Sequence, residues 1–463
     1  MKALFVWTKT NSLMGNDRWP FYGSLAVATY ANYYGVEVEI LDLRVESSDL
    51  ILLNKIISHD LIFVVFITSD MVSVKQVIRV CRQAKKPIIL GGPHVSAVSS
   101  DILEKYIQQG CIIVKNDGIS VIEEIINDFK LNKLKNIYQG TDEFAKVVKA
   151  IDLVTPNRNL LPKNIDYLNS LITSLGCPNK CTFCFDANSG TNRRNPYKIV
   201  EEISKMDTKK IIGFFDDNII GQDPKGAEYL ADVIINSGIN IKWFANADIS
   251  SILYPDILTK LRKAGMISIY IGLESIYIDT IRLAGKMGLV KKVWTGFGNQ
   301  FPEVFTDDHL IELYVKIIDK LHDLGFIVYC GLIVGWVHES AERIKHLQQF
   351  AINYPDVPWL SIATPYPGTG LQKILHNRGI TIEDYELGNY DTNHFVYEHP
   401  LEPNKNFYKS IQEFYLSLGS NEVIKNKLAR LVNSKFDRAA VSGVADNLYK
   451  MSQKANSLYS NFF

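Results

Sequence analysis

Short apolar runs alternate with amphipathic stretches along most of this chain. In the first 130 residues the apolar runs are nearly continuous, as expected of strands that are covered on both faces of a parallel sheet. This βαβ order predicts a five-stranded, doubly wound, Rossmann-like α/β domain over residues 1–130, closed by a helix at residues 120–129. The strand candidates are residues 3–7, 36–43, 61–68, 87–90 and 111–114, and the helix candidates between them are residues 21–34, 49–58, 72–84 and 99–109.

The same alternation resumes after residue 168. Six units are two fewer than a closed eight-unit barrel contains, so we expect a partial parallel (β/α)6 barrel over residues 169–375. Ligands of both kinds of sheet bind beyond the carboxyl ends of the strands. The six strand candidates are residues 170–173, 211–215, 241–246, 267–273, 327–334 and 359–364.

Two regions lack this rhythm. Residues 131–168 are rich in Lys, Asn and Pro and have weak periodicity, which predicts a linker. Residues 376–463 have helical apolar spacing at 405–418 and 421–432, which predicts a helical C-terminal domain.

The charge balance excludes several classes of partner. The 463 residues carry 50 Lys and Arg against 50 Asp and Glu, and the pI is 7.1, so no whole-chain field attracts nucleic acid or an anionic membrane. The apolar runs are too short to span a bilayer. The first residues lack the apolar stretch and cleavage site of a secretory signal. We therefore expect a cytoplasmic protein that binds neither nucleic acid nor a membrane.

Three of the six cysteines lie in one eight-residue window, directly after the first barrel strand candidate. In a reducing compartment, the clustering of Cys177, Cys181 and Cys184 indicates metal ligation rather than disulfides. Iron–sulfur clusters held only by cysteine use four thiolates, so three would leave one iron open to a small molecule. A zinc site completed by a distant histidine and coincidental buried thiols are the alternatives. The other cysteines are expected in the core, namely Cys81, Cys111 and Cys330.

The spacing Cys177-x3-Cys181-x2-Cys184, with Phe183 before the last cysteine, resembles the signature of the radical S-adenosylmethionine (SAM) superfamily. The resemblance implies a [4Fe-4S] cluster on the three cysteines, with SAM on the open iron and Phe183 near the adenine. It also implies reductive cleavage of SAM to methionine and a 5'-deoxyadenosyl radical, chemistry that the cofactor supplies. An electron donor such as flavodoxin or ferredoxin is then an expected partner.

Four later segments resemble further motifs of this superfamily. Asp217, in the segment 214–218, is expected either to contact the SAM amine or to cap the next helix. Glu274 and Ser275 end the fourth strand candidate, where the family's Gly-x-Glu-Ser contacts the cofactor, and a carboxylate so close to an apolar run needs a partner. The glycine motif Gly331-x-Ile333-x-Gly335 supplies three further SAM candidates. The last candidate is Thr364, in the turn 364–369, which is equally consistent with a structural role.

The N-terminal domain resembles the cobalamin-binding domain that precedes the barrel in one large class of radical SAM enzymes. The resemblance is carried by residues 19–25 and 90–96, whose glycines let backbone and a helix N-terminus approach the nucleotide tail of cobalamin. The sequence lacks the motif Asp-x-His-x-x-Gly, which marks cobalamin proteins that replace the lower axial base, and His94 is alternatively a helix cap or a backbone contact. The cobalamin candidates are Gly23, Thr68, Ser69, Gly91, Gly92 and His94.

Together the resemblances imply a cobalamin-dependent methyltransferase acting on an unactivated carbon of a metabolite or of a natural-product or peptide precursor. In that mechanism cobalamin takes a methyl group from one SAM, and a second SAM is cleaved to the radical. The alternatives are cyclisation, rearrangement or thioether formation without methyl transfer, and a non-catalytic metal-binding regulator. Aromatic and histidine side chains that either contact substrate or serve packing are Trp294, Phe297, Phe301, Tyr390, His394, Tyr397 and His399.

Overall fold

Two six-stranded parallel sheets, one from each half of the chain, organise the protein. The computed structural model describes residues 1–10, 18–383, 388–432 and 435–462. The first sheet contains β1 (Lys2–Trp7), β2 (Glu37–Asp42), β3 (Leu61–Val65), β4 (Ile88–Gly91), β5 (Cys111–Lys115) and β6 (Ile137–Gln139). Its helices are α1 (Tyr22–Tyr33), α2 (Asp49–Ser58), α3 (Met71–Gln83), α4 (Pro93–Ala97), α5 (Ser100–Gln108), α6 (Ile122–Lys130) and α7 (Phe144–Leu153).

The strand order of this sheet is β2-β1-β3-β4-β5-β6, so the chain reverses direction between β1 and β3. Such a reversal leaves a crevice at the carboxyl ends of the strands. The doubly wound prediction is confirmed, but the expectation of five strands is wrong, because the sheet has six. The predicted linker supplies β6 and α7, whose signals are short. In β6 only Tyr138 is buried, and the buried positions of α7 are Val147, Val148 and Ile151.

The second sheet forms the predicted partial barrel. Its strand order is β14-β13-β12-β11-β10-β7, which is sequential along the chain. Its strands are β7 (Asn169–Leu171), β10 (Ile212–Phe214), β11 (Trp243–Ala247), β12 (Met266–Glu274), β13 (Ile327–Val334) and β14 (Val357–Ile362), and an antiparallel pair, β8 (Ser174–Leu175) and β9 (Asn192–Arg193), flanks the cysteines. The accompanying helices are α8 (Pro196–Ile203), α9 (Pro224–Asn236), α10 (Pro255–Lys263), α11 (Ile278–Leu283), α12 (Met287–Gly296), α13 (Asp307–Asp323), α14 (Arg343–Asn353) and α15 (Gly370–Asn377).

Helices of the C-terminal region cover the open edge of the barrel. They are α16 (Asn404–Leu418), α17 (Asn421–Leu431) and α18 (Arg438–Tyr459). The hydroxyl of Tyr415 on α16 donates to the carbonyl of Leu360 at 2.8 Å and accepts from its amide at 2.9 Å. A side chain thus satisfies backbone groups that an edge strand would leave unpaired. In the described part of the chain, no helix is both long and apolar enough to cross a membrane.

A buried polar network joins the two sheets. Arg194, which follows β9, donates to the hydroxyl of Tyr22 on α1 at 2.6 Å and to Glu202 on α8 at 2.9 Å. Tyr22 in turn donates to Glu202 at 2.9 Å. All three side chains are almost fully buried, so the network holds the first helix of one domain against the other domain.

Candidate active site

The cysteine loop lies at the carboxyl end of the barrel strands, between β8 and β9. Its three cysteines are half-buried. The loop rests on the end of α11, where the amide of Thr182 donates to the carbonyl of Ala284 at 3.1 Å. Gly285 has a φ of 76°, and a side chain there would place its Cβ 2.7 Å from the carbonyl of Lys180. The approach of the loop to α11 therefore requires glycine.

Three carboxylates hold the loop in place. Asp216 is fully buried and accepts from the amides of Thr173 at 2.5 Å and Ser174 at 3.0 Å, just before the loop. Asp217 accepts from the amide of Gly176 at 2.8 Å. Asp248, after β11, accepts from Asn179 and from Asn218, both at 2.8 Å. Asp216 and Asp217 thus bind the backbone around the cysteines, a role that the sequence did not predict. Asp248 was missed from the sequence.

Glu274 lies beside the loop in a strained conformation. Its φ is 64°, and the pairing of β12 with β13 shifts register at this point. The carboxylate forms a buried ion pair with Lys286, whose ammonium also donates to the carbonyl of Gly272 at 3.1 Å. Burial opposes the charge of Lys286, but Glu274 and Cys181 outweigh it and raise the pKa of this lysine. Strain of this kind is typical of functional sites.

The Glu274–Lys286 pair fits SAM. A carboxylate and an ammonium next to the cysteine loop complement the ammonium and carboxylate of an amino acid such as the methionine part of SAM. Lys286 also lies 6.0 Å from the ring centre of Phe183, which brings that predicted residue to the same place. Lys286 was missed from the sequence. The sequence shows only one lysine between two helical segments, α11 and α12, each of which is buried on one side.

A turn after β13 faces Phe183 from the other side. Trp336 is fully buried, and its ring lies edge-on to Phe183 with the centroids 6.1 Å apart. The C-terminal region fixes this turn, because Tyr397 donates to the carbonyl of Gly335 at 2.6 Å and His399 contacts the carbonyl of Trp336 at 2.9 Å. Two of the aromatic and histidine candidates thus support the turn. Trp336 itself was not predicted.

Other SAM candidates have structural partners. Ser275 accepts a hydrogen bond from the amide of Tyr277 at 3.2 Å, and Thr364 donates to the carbonyl of Ile362 at 3.0 Å. Ile333 is half-buried on β13. Gly331 lies on the inner face of β13, where a side chain would overlap the hydroxyl of Tyr270.

A cavity of about 540 Å³ connects the strand ends of the N-terminal sheet with the cysteine loop. Ligand sites typically occupy about 300–1,000 Å³. The side formed by the N-terminal domain is lined by aliphatic side chains of α1, β3, α6 and α7 and by Gly23, Gly91 and Gly92. The side formed by the barrel is lined by Leu175, Phe185, Asp186, Ser189 and Asp217.

This cavity fits a cobalamin tail. A Cβ added at Gly23 would meet nothing within 4 Å, so the helix backbone borders open space. Gly92 has a φ of 102°, and its Cβ would lie 2.7 Å from the carbonyl of Phe66, so the turn after β4 requires glycine. Loss of solvent and the neighbouring Asp186 raise the pKa of Asp217 to about 6 at the end nearest the cysteines.

The other cobalamin candidates lie outside the cavity lining. His94 is buried, with its ring nitrogens 3.0 Å from the hydroxyls of Thr68 and Tyr106, and burial lowers its pKa to about 4. Ser69 is also buried, and its hydroxyl lies 3.4 Å from Asp70. Thr68 and His94 are therefore packed against each other inside the domain, and Ser69 has Asp70 as its partner. Sequence reasoning placed them at the correct edge of the sheet but could not tell which side chains turn inward.

The aromatic candidates Trp294 and Phe301 make local packing contacts. The indole nitrogen of Trp294 donates to the carbonyl of Gln300 at 2.9 Å, and the ring lies 5.0 Å from that of Phe305. Phe301 stacks on Phe305 at 4.8 Å. Further on, Tyr390 donates to the carbonyl of Glu383 at 2.9 Å, and the remaining candidates, Phe297 and His394, border Lys320 and Asp391.

The three thiols do not form a single-ion site. In the part of the chain that the structure describes, no group of three His, Cys, Asp or Glu side chains is arranged around one metal ion. A cubane cluster has a different requirement, because each thiolate binds a different iron. Burial raises the pKa of the Cys181 thiol to about 11 and that of Cys184 to about 12. Binding of a cluster therefore has to displace their protons.

Family comparisons agree with this geometry. The model of the Radical SAM superfamily matches residues 171–351, and that of the B12 binding domain matches residues 16–126. The chain therefore carries a radical SAM domain preceded by a B12-binding domain. The cofactors of these two domains are a [4Fe-4S] cluster with SAM, and cobalamin.

Two curated relatives are each 24% identical to the chain. The anaerobic magnesium-protoporphyrin IX monomethyl ester cyclase of Cereibacter sphaeroides aligns over 66% of this chain, which spans only 50% of that protein. The hopanoid C-3 methylase of Methylococcus capsulatus aligns over 78% of this chain and 69% of its own length.

Solved structures share the fold. The radical SAM methyltransferase TsrM from Kitasatospora setae, with cobalamin and a [4Fe-4S] cluster bound, has a TM-score of 0.61 at 16% identity, covering 81% of this chain and 78% of that one. The cobalamin-dependent radical enzyme OxsB with aqua-cobalamin bound has a TM-score of 0.63 at 13% identity, covering 99% and 72%.

Proposed function

We propose that this protein is a cobalamin-dependent radical SAM methyltransferase acting on an unactivated carbon. The observation that carries the proposal is the continuous cavity from the glycine-bordered strand ends of the N-terminal domain to the cysteine loop. Methyl transfer through two cofactors needs both of them to reach one space. When bound, the cluster and SAM supply a 5'-deoxyadenosyl radical and cobalamin supplies the methyl group.

The chain's own residues position and shield this chemistry. Cys177, Cys181 and Cys184 are the proposed cluster ligands. Asp216 fixes the backbone before the loop through its bonds to Thr173 and Ser174. In our proposal the SAM methionine group binds at Glu274 and Lys286, and its adenine lies beside Phe183 and the Gly335 turn. Gly23, Gly91 and Gly92 would admit the cobalamin tail.

The net reaction is balanced by two SAM molecules and two electrons. One substrate C–H bond becomes C–CH3, and the products are S-adenosylhomocysteine, methionine and 5'-deoxyadenosine, the last of which carries the hydrogen taken from the substrate. We propose that flavodoxin or ferredoxin supplies the electrons.

The named activities of the relatives support the proposal unequally. Hopanoid C-3 methylase and TsrM are methyltransferases, and TsrM is described with tryptophan as substrate. The magnesium-protoporphyrin ester cyclase forms a ring, so ring formation without methyl transfer is the second candidate.

The test needs no substrate for its first step. Protein reconstituted anaerobically with iron, sulfide and hydroxocobalamin, then reduced and given methyl-labelled SAM, should form S-adenosylhomocysteine and carry label on cobalamin. 5'-Deoxyadenosine without any S-adenosylhomocysteine would exclude methyl transfer and favour the second candidate. Absence of both products in protein that has full cluster and cobalamin would contradict radical chemistry altogether.

A further inference from the structure

The inner face of the barrel sheet carries aromatic rings and glycines. Phe214 and Trp243 stack at 4.2 Å on the fully buried outer face of the sheet. Because successive strand residues point to opposite faces, the strand pairing then identifies the residues of the inner face. Among the inward-facing strand residues that the structure describes, the charged one is Glu274, which is paired with Lys286. The inward positions on the central strands are Gly213, Phe244, Asn246, Ser268, Tyr270, Gly272, Tyr329, Gly331, Ile333, Trp359 and Ser361.

Three aromatic rings surround the mouth of this inner space. Trp19 lies edge-on to Phe215, with centroids 5.1 Å apart, and to Phe244, at 5.8 Å. Phe215 and Phe244 are also edge-on to each other at 5.7 Å. Although it directly follows a central strand, Phe215 remains 40% exposed. An aromatic ring that stays open at the carboxyl end of a barrel strand indicates space that a ligand can fill.

Glycine widens the space under these rings. Gly213 pairs with Phe244 across β10 and β11, and a Cβ there would lie 2.7 Å from the ring of Phe215 and 3.0 Å from that of Phe244. Any larger residue would push the rings into the opening. Gly331 has the same effect deeper in the barrel, where it makes room for Tyr270.

Tyr270 supplies a free polar group in this surrounding. Its hydroxyl lies over Gly331 on β13. Gly331 pairs with Gly272 on β12, and Gly272 contacts the Glu274–Lys286 pair. Within the described residues this hydroxyl has no hydrogen-bond partner, unlike Tyr329 on the next strand, which accepts from Asn447 at 3.2 Å. A half-buried phenol without a partner is available to a bound molecule.

We propose that this inner space, bounded by Trp19, Phe215, Phe244 and Tyr270, is the substrate chamber and that it takes an uncharged, ring-bearing apolar molecule. The proposal rests on the proposed function, because it assumes that the reacting carbon enters from the face that Glu274 and Lys286 border. A zwitterionic amino acid would bury two charges on a face whose charged strand residue, Glu274, is already paired with Lys286. Edge-on aromatic contacts hold the ring system, and Tyr270 donates to an oxygen of the substrate.

The test compares three two-ring probes by anaerobic equilibrium dialysis against protein loaded with cluster, cobalamin and SAM. We expect saturable binding of 1-methylnaphthalene and 1-acetylnaphthalene and no retention of tryptophan. Phe215→Ala should weaken both naphthalenes about tenfold, since it removes an aromatic contact. Tyr229→Ala is the matched control, because Tyr229 is 48% exposed on the outer helix α9, and it should change nothing.

A second variant tests the hydroxyl. Tyr270→Phe should weaken 1-acetylnaphthalene about fivefold, the typical worth of one hydrogen bond, and leave 1-methylnaphthalene unchanged. The chamber is contradicted if Phe215→Ala and Tyr229→Ala bind the naphthalenes equally, or if tryptophan binds more tightly than they do. Transfer of the methyl group from SAM to cobalamin, with release of S-adenosylhomocysteine, is measured in the same samples. Its failure would overturn the proposed function, whereas normal transfer with no probe binding would overturn the chamber alone.

Discussion

At the scale of single residues, the cysteine loop depends on carboxylates as much as on thiols. Asp216, Asp217 and Asp248 accept hydrogen bonds from the loop or from the backbone that leads into it. The clustering of the cysteines predicted a metal site, and the resemblance of their spacing to the radical SAM signature predicted that the metal is a [4Fe-4S] cluster. Lys286 and Asp248 were beyond prediction, because each belongs to the site only through the packing of elements distant in sequence.

Replacing single cysteines should separate cluster ligands from core thiols. Cys177→Ala and Cys181→Ala are expected to lose most of the roughly four irons bound per chain after anaerobic reconstitution, because a cluster cannot be held by two thiolates. Cys111→Ala is the control, since Cys111 is buried in β5 away from the loop. Iron and sulfide analysis gives the result. Equal iron in the Cys177 and Cys111 variants would contradict the assignment.

Glu339 should make stability depend on pH. This buried carboxyl accepts from Thr280 at 2.7 Å and from the amide of Trp336 at 3.3 Å, and burial raises its pKa to about 7. In the unfolded chain the pKa is about 4.3, so the folded state holds the proton more tightly, and the free energy of unfolding falls as pH rises from about 4 to about 7.

Glu339→Gln removes this titration. Relative to wild type, the variant should gain stability over that pH range, by on the order of 3 kcal/mol, in denaturant unfolding at each pH. Glu342→Gln, at an exposed position of the same segment, should run parallel to wild type. A Glu339→Gln curve that also runs parallel to wild type would contradict the raised pKa.

At the scale of elements, apolar runs predicted all six barrel strands, and the bounds of β13 were predicted to the residue. Strands buried on both faces are continuously apolar, so they can be recognised in the sequence whichever elements pack against them. The short strand β6 has a single buried residue, so its pairing is set by the neighbouring strand rather than by its own sequence. The cover of the β14 edge by α16 also depends on packing between separate elements, so it was not predictable from the sequence.

Loss of the Tyr415 hydroxyl should weaken this edge. Tyr415→Phe leaves the amide and carbonyl of Leu360 buried without their partner, at an expected cost of about 1–3 kcal/mol in the free energy of unfolding. The amide of Leu360 should exchange with solvent faster. Tyr449→Phe, on the exposed side of α18, should have no effect. Unchanged exchange at Leu360 in the Tyr415 variant would show that the helices do not protect the edge.

At the scale of the whole molecule, two sheets with independent folds present their strand ends to one cavity. The sequence indicated that both sheets bind ligands at those ends, but not which contacts hold the two sets of ends together. The buried network of Tyr22, Arg194 and Glu202 fixes that arrangement, and its partners are far apart in the chain.

Filling the cavity from α1 should exclude cobalamin. Gly23→Leu places a side chain into open space that lines the cavity, so hydroxocobalamin binding is expected to fall at least about tenfold, as when a ligand loses a well-fitted contact surface. Gly288→Leu is the control, because Gly288 also lies at the start of an exposed helix with no atom near its Cβ, outside the cavity. Equal binding of cobalamin by the two variants, measured by its visible absorption after dialysis, would place the cofactor elsewhere.

The shared cavity is tested most directly by electron paramagnetic resonance of protein that holds both cob(II)alamin and the reduced cluster. Both are paramagnetic, and centres bound at the two ends of one cavity should broaden or split each other's signals. The interaction should disappear in Gly23→Leu. A spectrum equal to the sum of the two isolated centres, in protein shown to contain both, would contradict the account.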